Sequence, residues 1–250
     1  MLRLLVLFLI TVSVSHAQVI NIETLRKSSD TTKWTGSVGL DISLIKNTND
    51  LFKIVNKAHV QYKDSKNLWL FVNDINLQKI EGNSLVNRGT QHLRYNRRLT
   101  QKVKWEAFIQ TQYDAISDIN LRALAGTGPR FKLSENDNYK FYLGTLVMYE
   151  YEKASDVVSD RLQEDIRGSM YLSFSMYPTE TISIISTSYY QPRVDKFKDY
   201  RLSSNTSLLI KILDNLAFKT SFNYFFDAFP VTTDIPKTQY ELTNGLLYTF

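Results

Sequence analysis

From about residue 33 to its last residue the chain alternates apolar and polar side chains, the period of two that places successive side chains on opposite faces of a β-strand. Leu216, Phe218, Thr220, Phe222, Tyr224 and Phe226 alternate with Ala217, Lys219, Ser221, Asn223, Phe225 and Asp227. The last segment repeats the pattern: Tyr240, Leu242, Leu246, Tyr248 and Phe250 share one side, with Asn244 as the lapse. Extended over the chain, the pattern predicts about twelve strands, at 33–46, 51–63, 67–79, 84–98, 102–114, 118–132, 138–152, 164–177, 180–191, 199–212, 215–228 and 237–250. Strands of this length exceed the roughly five or six residues usual in soluble sheets and meet the roughly 9–11 that a tilted strand needs to cross hydrocarbon. In lipid a sheet must satisfy its backbone groups by closing on itself. The expectation is an all-β, antiparallel up-and-down transmembrane β-barrel over 33–250, with both termini periplasmic and a soluble lipocalin-like barrel as the structural alternative.

Residues 1–17 read as a signal peptide: Arg3 supplies the charge, Leu4 to Val14 the apolar run, and Ser15-His16-Ala17 the cleavage site, while the apolar run is too short for a spanning helix. Residues 18–32 form a short polar lead. Export followed by outer-membrane insertion predicts outer-membrane lipid and the barrel-insertion machinery as partners. Phe250, a terminal aromatic on an alternating strand, has the form of an assembly signal. With no cysteine in the chain, neither disulfides nor a lipidated thiol is available. The pI near 9.1 does not imply nucleic acid, because the basic residues are spread among nearly as many acidic ones rather than gathered on one face.

The connections fall into two classes, as expected where short turns face the periplasm and longer loops face outward. Asp64 to Lys66, Thr100-Gln101, Pro178-Thr179 and Leu213 to Asn215 are short; Lys153 to Gln163, Pro192 to Lys198 and Phe229 to Pro236 are longer, with Asn47 to Asp50 and Ala115 to Ser117 as short exceptions on the outer side. Aromatic residues give two bands, as interfacial girdles require. Trp34, Tyr62, Trp105, Phe141, Phe218, Tyr248 and Phe250 fall near one rim, and Tyr113, Tyr149, Tyr151, Tyr190, Tyr200, Tyr224 and Tyr240 near the other.

The opposite face would line the lumen. Hairpins centred on Thr100, Ile116 and Asn136 predict Arg94 opposite Glu106, Gln110 opposite Arg122, and Arg122 near Glu150. Gln112, Arg130, Asp165, Arg167 and His92 extend that polar surface, and Gly126, Gly128 and Gly144 leave it locally without side chains. Such a surface serves either as a selectivity constriction for polar solutes or, more plainly, as a structural network of paired charges. His59 and His92 are the ring bases of the mature chain; neither lies in a nucleophile motif, and no metal-spaced cluster or phosphate loop is present. No cofactor or metal is expected.

Arg94-Tyr95-Asn96-Arg97, Trp105-Glu106-Ala107-Phe108, Gln110-Thr111-Gln112-Tyr113, the run from Leu121 to Arg130, Tyr142-Leu143-Gly144 and Tyr149-Glu150-Tyr151-Glu152 together resemble the uncharacterised family of salt-induced outer-membrane proteins, domain of unknown function 481. The resemblance implies an outer-membrane barrel and carries no activity. The functional expectation is therefore a non-enzymatic barrel that maintains the envelope or passes small polar solutes. An enzyme acting on lipid or an external substrate, and a module binding through its loops, are the alternatives.

Overall fold

The computed structural model describes residues 33–46, 50–136, 138–154, 162–213, 216–230 and 236–248. The signal segment, the polar lead, Phe250 and parts of several connections lie outside these residues. Twelve strands follow one another: β1 (Trp34–Lys46), β2 (Asp50–Lys63), β3 (Asn67–Ile80), β4 (Asn83–Arg98), β5 (Val103–Asp114), β6 (Ile119–Glu135), β7 (Tyr139–Ala154), β8 (Leu162–Thr179), β9 (Ile182–Pro192), β10 (Tyr200–Leu213), β11 (Leu216–Asp227) and β12 (Thr238–Tyr248). Each pairs antiparallel with the next in a single sheet ordered β1 to β12. The sheet curls until Glu241 of β12 and Asp41 of β1 line a common cavity. No ladder joins β1 to β12 among the described residues.

The predicted strands all appear, with ends displaced by at most three residues. Pro178 and Thr179 belong to the end of β8, so the turn falls at Glu180 and Thr181. Leu213 likewise ends β10. Between β3 and β4, Glu81 and Gly82 have φ of 50° and 77°, the left-handed pair that a two-residue hairpin with native strand twist requires.

Burial is the reverse of a soluble sheet. Val38, Leu40, Ile109, Val147, Ile166 and Leu242 are exposed on the outer face, whereas Glu106 and Arg167 are 0% exposed inside. The aromatic bands are present. At the rim nearest the termini, Trp34 faces Tyr62, Tyr62 faces Trp69, and Trp69 faces Tyr95 in consecutive ladders. At the other rim the rings of Tyr190, Tyr200 and Phe226 succeed one another at centroid distances of 5.7 and 5.5 Å.

Across β2 to β5 the outer face carries a chain of amides. Asn56 donates to the carbonyl of Gly39 at 3.1 Å, Asn73 to Asn56 Oδ1 at 2.5 Å, Gln91 to Asn73 Oδ1 at 3.2 Å, and Thr111 to Gln91 Oε1 at 3.0 Å. In an apolar medium each polar group needs its partner, so the four sites act as a unit. Gln91→Leu, which strands Asn73 and Thr111, is expected to cost about 1–3 kcal/mol. Making all four sites apolar should restore most of that loss. Urea midpoints in lipid would check this, and a quadruple variant weaker than the single one would contradict it.

Polar side chains set the turns, and with them the register. Asp64 Oδ1 accepts from the backbone N–H groups of Lys66 and Asn67 at 2.8 and 2.7 Å. The Asn67 side-chain amide, followed by these backbone donors, holds the Asp64 carboxyl below its ordinary value of 3.8. Stabilisation by a depressed carboxyl is full above the unfolded value and is lost as pH falls through the folded one. The difference in urea midpoint between wild type and Asp64→Ala should therefore persist at neutral pH and shrink below about pH 3.8; a gap indifferent to pH would refute the assignment.

Candidate functional site

The inward face carries its charges in two tiers. The upper tier, on the loop side, is centred on Glu150 of β7. Its carboxylate accepts from Arg122 Nε of β6 at 2.6 Å, from Arg167 Nε of β8 at 2.6 Å, and from Arg201 Nη1 of β10. Arg201 also reaches Glu152 at 3.0 Å and Asp227 at 2.7 Å. Arg167 reaches Asp165 and Asp199 at 3.1 Å each. Because β7 and β10 are not neighbours, the Arg201–Glu150 contact fastens wall to wall across the interior rather than along the sheet. Arg193, in the β9–β10 connection, ties that loop to β8 through Asp165 at 3.1 Å and meets Asp199 of the same connection at 3.5 Å.

The lower tier is centred on Glu106. Arg94 stands 3.4 Å and Arg130 3.6 Å from its carboxylate, and the Tyr171 hydroxyl donates to Oε2 at 2.5 Å. Arg130 also lies over the Tyr142 ring, 4.2 Å from its centroid. Between the tiers sits an apolar layer of Phe108, Leu124, Leu146, Met148, Tyr171 and Tyr189. The glycines are not vacant, contrary to the sequence reading. A Cβ at Gly126 would meet the Phe108 ring at 2.5 Å, one at Gly144 the Tyr171 ring at 2.0 Å, and one at Gly128 the Thr145 carbonyl oxygen at 2.3 Å. They are glycine because neighbouring rings and backbone occupy the space a side chain would need.

Every lumen residue expected from the sequence is on this face and buried: Arg94, Glu106, Gln110, Gln112, Arg122, Arg130, Glu150, Asp165 and Arg167. Their registers differ from expectation by two residues. Asn96, not Arg94, faces Glu106; Leu124 faces Gln110; and Arg122 pairs in register with Gln112 and Glu152. Each hairpin centre lies one residue later than its turn residues suggested. Thr100 caps Lys102 and Val103, Asp114 caps Ile116, and Asn136 caps Asn138 and Tyr139, so each cap precedes the centre. A shift of two preserves the facing side, and long side chains bridge the diagonal, so Arg94–Glu106 and Arg122–Glu150 still meet. Gln110 instead bonds His92 Nδ1 at 2.9 Å and Gln112 at 2.8 Å.

Sequence reasoning missed Arg201, Glu152, Asp199, Asp227 and Tyr171. The parity that exposed Arg167 also places Tyr171 inward, and the β10–β11 pattern pairs Arg201 with Asp227; both were within reach of the same argument.

The β1–β5 side is less filled. A cavity of ≈ 570 Å³ occupies its loop-side half, with Asp41, Lys53, Lys57, Asp74, Arg88 and Glu241 among its lining residues. Asp74 is engaged by His59 at 3.2 Å, and Asp114 by the turn N–H of Ile116 at 2.9 Å. Lys53, Lys57 and Asp41 make no ion pair among the described residues. Beneath the cavity, Leu70 and Val72 form a buried apolar pair on the inward face.

A twelve-stranded up-and-down sheet, apolar outside and charged within, defines the class: an antiparallel transmembrane β-barrel. Residues 49–250 match the family described as protein of unknown function DUF481, and the chain belongs to that family. Among solved structures, the chain is similar to a NanC porin, at 9% identity and a TM-score of 0.48 over 85% of this chain and 100% of that one. It is also similar to a bacterial polysaccharide outer membrane secretin, at 8% identity and a TM-score of 0.43 over 82% and 87%. No curated protein matches it.

Proposed function

We propose that the protein is a non-enzymatic outer-membrane barrel, exported by its amino-terminal signal, placed in lipid by the barrel-insertion machinery, and passing small polar solutes along its β1–β5 wall. The observation that supports this reading is the asymmetry of the interior. One half is packed by cross-lumen ion pairs, while the other keeps a ≈ 570 Å³ polar cavity with charged ends committed to no partner. Side chains that serve only to fill space pair with one another, as Arg167 and Glu150 do; charges left facing water are available to a passing solute. The narrow route predicts small, steady conductance steps in planar bilayers. Val55 lines the cavity, so Val55→Trp should lower the step by about half or more, because passage depends steeply on pore width. A folded, heat-modifiable barrel that stays silent, or one that hydrolyses lipid, would overturn the reading.

A further inference from the structure

We propose that the β4–β5 hairpin, at the rim nearest the termini, is a binding site for a phosphate group, held by Arg98, Lys102 and Lys104.

The run from Arg94 to Lys104 holds Arg94, Arg97, Arg98, Lys102 and Lys104 and no carboxylate. Arg94 is committed to Glu106 inside the wall. The other four gather at the turn, where Leu99 and Thr100 both donate their backbone N–H groups to the Val103 carbonyl. Arg98 faces Lys104, and Lys104 faces Arg130 of β6. Three cations thus stand in one row on the inward face, on strands about 5 Å apart. Next to that row the Lys132 N–H donates to the Lys102 carbonyl, which sets two more cations side by side. Like charges directly opposite one another destabilise a sheet, so folding alone gives no reason for them. Elsewhere on this face cations meet carboxylates, as Arg88 faces Asp114 and Arg122 faces Glu152.

The carboxylates of the surrounding elements do not neutralise this corner. Glu106 is held by Arg94, Arg130 and Tyr171, and Glu135 by Lys132 at 2.5 Å and Lys140 at 3.6 Å. Asp64, in the β2–β3 turn, is held by the Asn67 amide and the backbone of Lys66 and Asn67. Asp137 lies outside the described residues. Even with it included, the two turns over 97–104 and 132–140 set Arg97, Arg98, Lys102, Lys104, Lys132 and Lys140 against Glu135 and Asp137 alone. Arg98 and Lys102 are exposed and Lys104 half-buried, so a ligand reaches them from the rim. Arg98 directs one N–H to the Ser65 carbonyl and keeps the rest of its fork of donors. A guanidinium and two ammonium groups around one point suit a phosphate, which brings both charge and several acceptor oxygens.

Such a phosphate has two sources. Arg98 and Lys104 are on the inward face, where a free anion meets them at the mouth of the barrel. Arg97 is on the outward face opposite Trp105, within the aromatic band that lies at headgroup depth, where the phosphate of an anionic lipid meets basic side chains.

The test uses the mature barrel folded in an amine-oxide detergent, titrated calorimetrically at constant ionic strength with inorganic pyrophosphate and with dihexanoyl phosphatidylglycerol. Folding of each variant is checked by heat-modifiable mobility. Pyrophosphate should bind, and the Lys102→Gln/Lys104→Gln variant should bind it at least about tenfold more weakly, the loss of charge-assisted contacts. Lys102→Gln alone, on an exposed turn, should already weaken binding by about threefold. Lys46→Gln/Lys196→Gln, which removes the same charge from the loop end, should match wild type. Binding of phosphatidylglycerol alone, weakened by Arg97→Gln, would support the site and assign the phosphate to lipid. Failure of both anions to bind, or Lys102 and Lys104 variants that bind like wild type, would overturn the inference. The site does not depend on passage: binding to a silent barrel would remove only the passage reading, and a conducting barrel that binds neither anion would remove only the site.

Discussion

Glu106→Lys is expected to leave little or no folded barrel. Glu106 is 0% exposed, and its carboxylate lies 3.4 Å from Arg94 and 3.6 Å from Arg130. Reversal of its sign places three cations around one point where water is scarce and displaces the Tyr171 hydroxyl that donates to it. Removing one partner of a buried pair costs about 3–5 kcal/mol; adding like-charge repulsion raises this toward the total stability of an ordinary domain, about 5–15 kcal/mol. Glu106→Gln, which keeps an acceptor for one arginine and for Tyr171, should fold but unfold at lower urea. Gel mobility without heating, followed by urea titration, reads both variants. A Glu106→Lys protein with wild-type mobility and midpoint would show that the lower tier contributes nothing.

Glu150→Gln is expected to be the most damaging neutral substitution in the lumen. The carboxylate accepts from three guanidinium groups carried by β6, β8 and β10. A carboxamide offers one oxygen and turns an NH2 donor toward an arginine N–H, so at least one buried contact becomes donor against donor. The expected loss is about 3–5 kcal/mol, and it should couple strongly to Arg201, since that residue reaches Glu150 from across the lumen. A double-mutant cycle with Arg201→Gln would check this. Additive losses would mean that Glu150 does not join the two walls.

The contrast between the halves of the interior explains what the sequence made legible. Strand number, facing side and aromatic bands follow from the pleat, which repeats every two residues whatever the partner strand. The nine lumen residues were found because facing depends only on parity. Their partners were not, because register is set by turn caps such as Thr100, Asp114 and Asn136, each of which moves the hairpin centre by one residue. The weakest alternation lay in β3 and β4, and the structure gives the reason. Asn73 and Gln91 point outward in the amide chain, while Leu70 and Val72 are buried inward between the outward Trp69 and Phe71, so the apolar-out, polar-in alternation is lost there. Cross-lumen contacts such as Arg201–Glu150 depend on the curl of the whole sheet, which the order of residues along one strand does not encode. The cavity was hidden for the same reason, since its walls come from β1 to β5 and β12.

The central claim is that the apolar face meets lipid while the charged face is enclosed. The chain has no cysteine, so single cysteines can be placed at will, labelled with a fluorophore and examined in bilayers containing brominated lipid. Ile109, Val147 and Ile166 are exposed outer positions, and Gln112, Leu146 and Ser169 are their buried inward counterparts. The account predicts strong quenching at the first three and little at the others, alternating residue by residue along β7 from Leu146 to Val147. Quenching that is uniform along β7, or strongest at Gln112, Leu146 and Ser169, would contradict it.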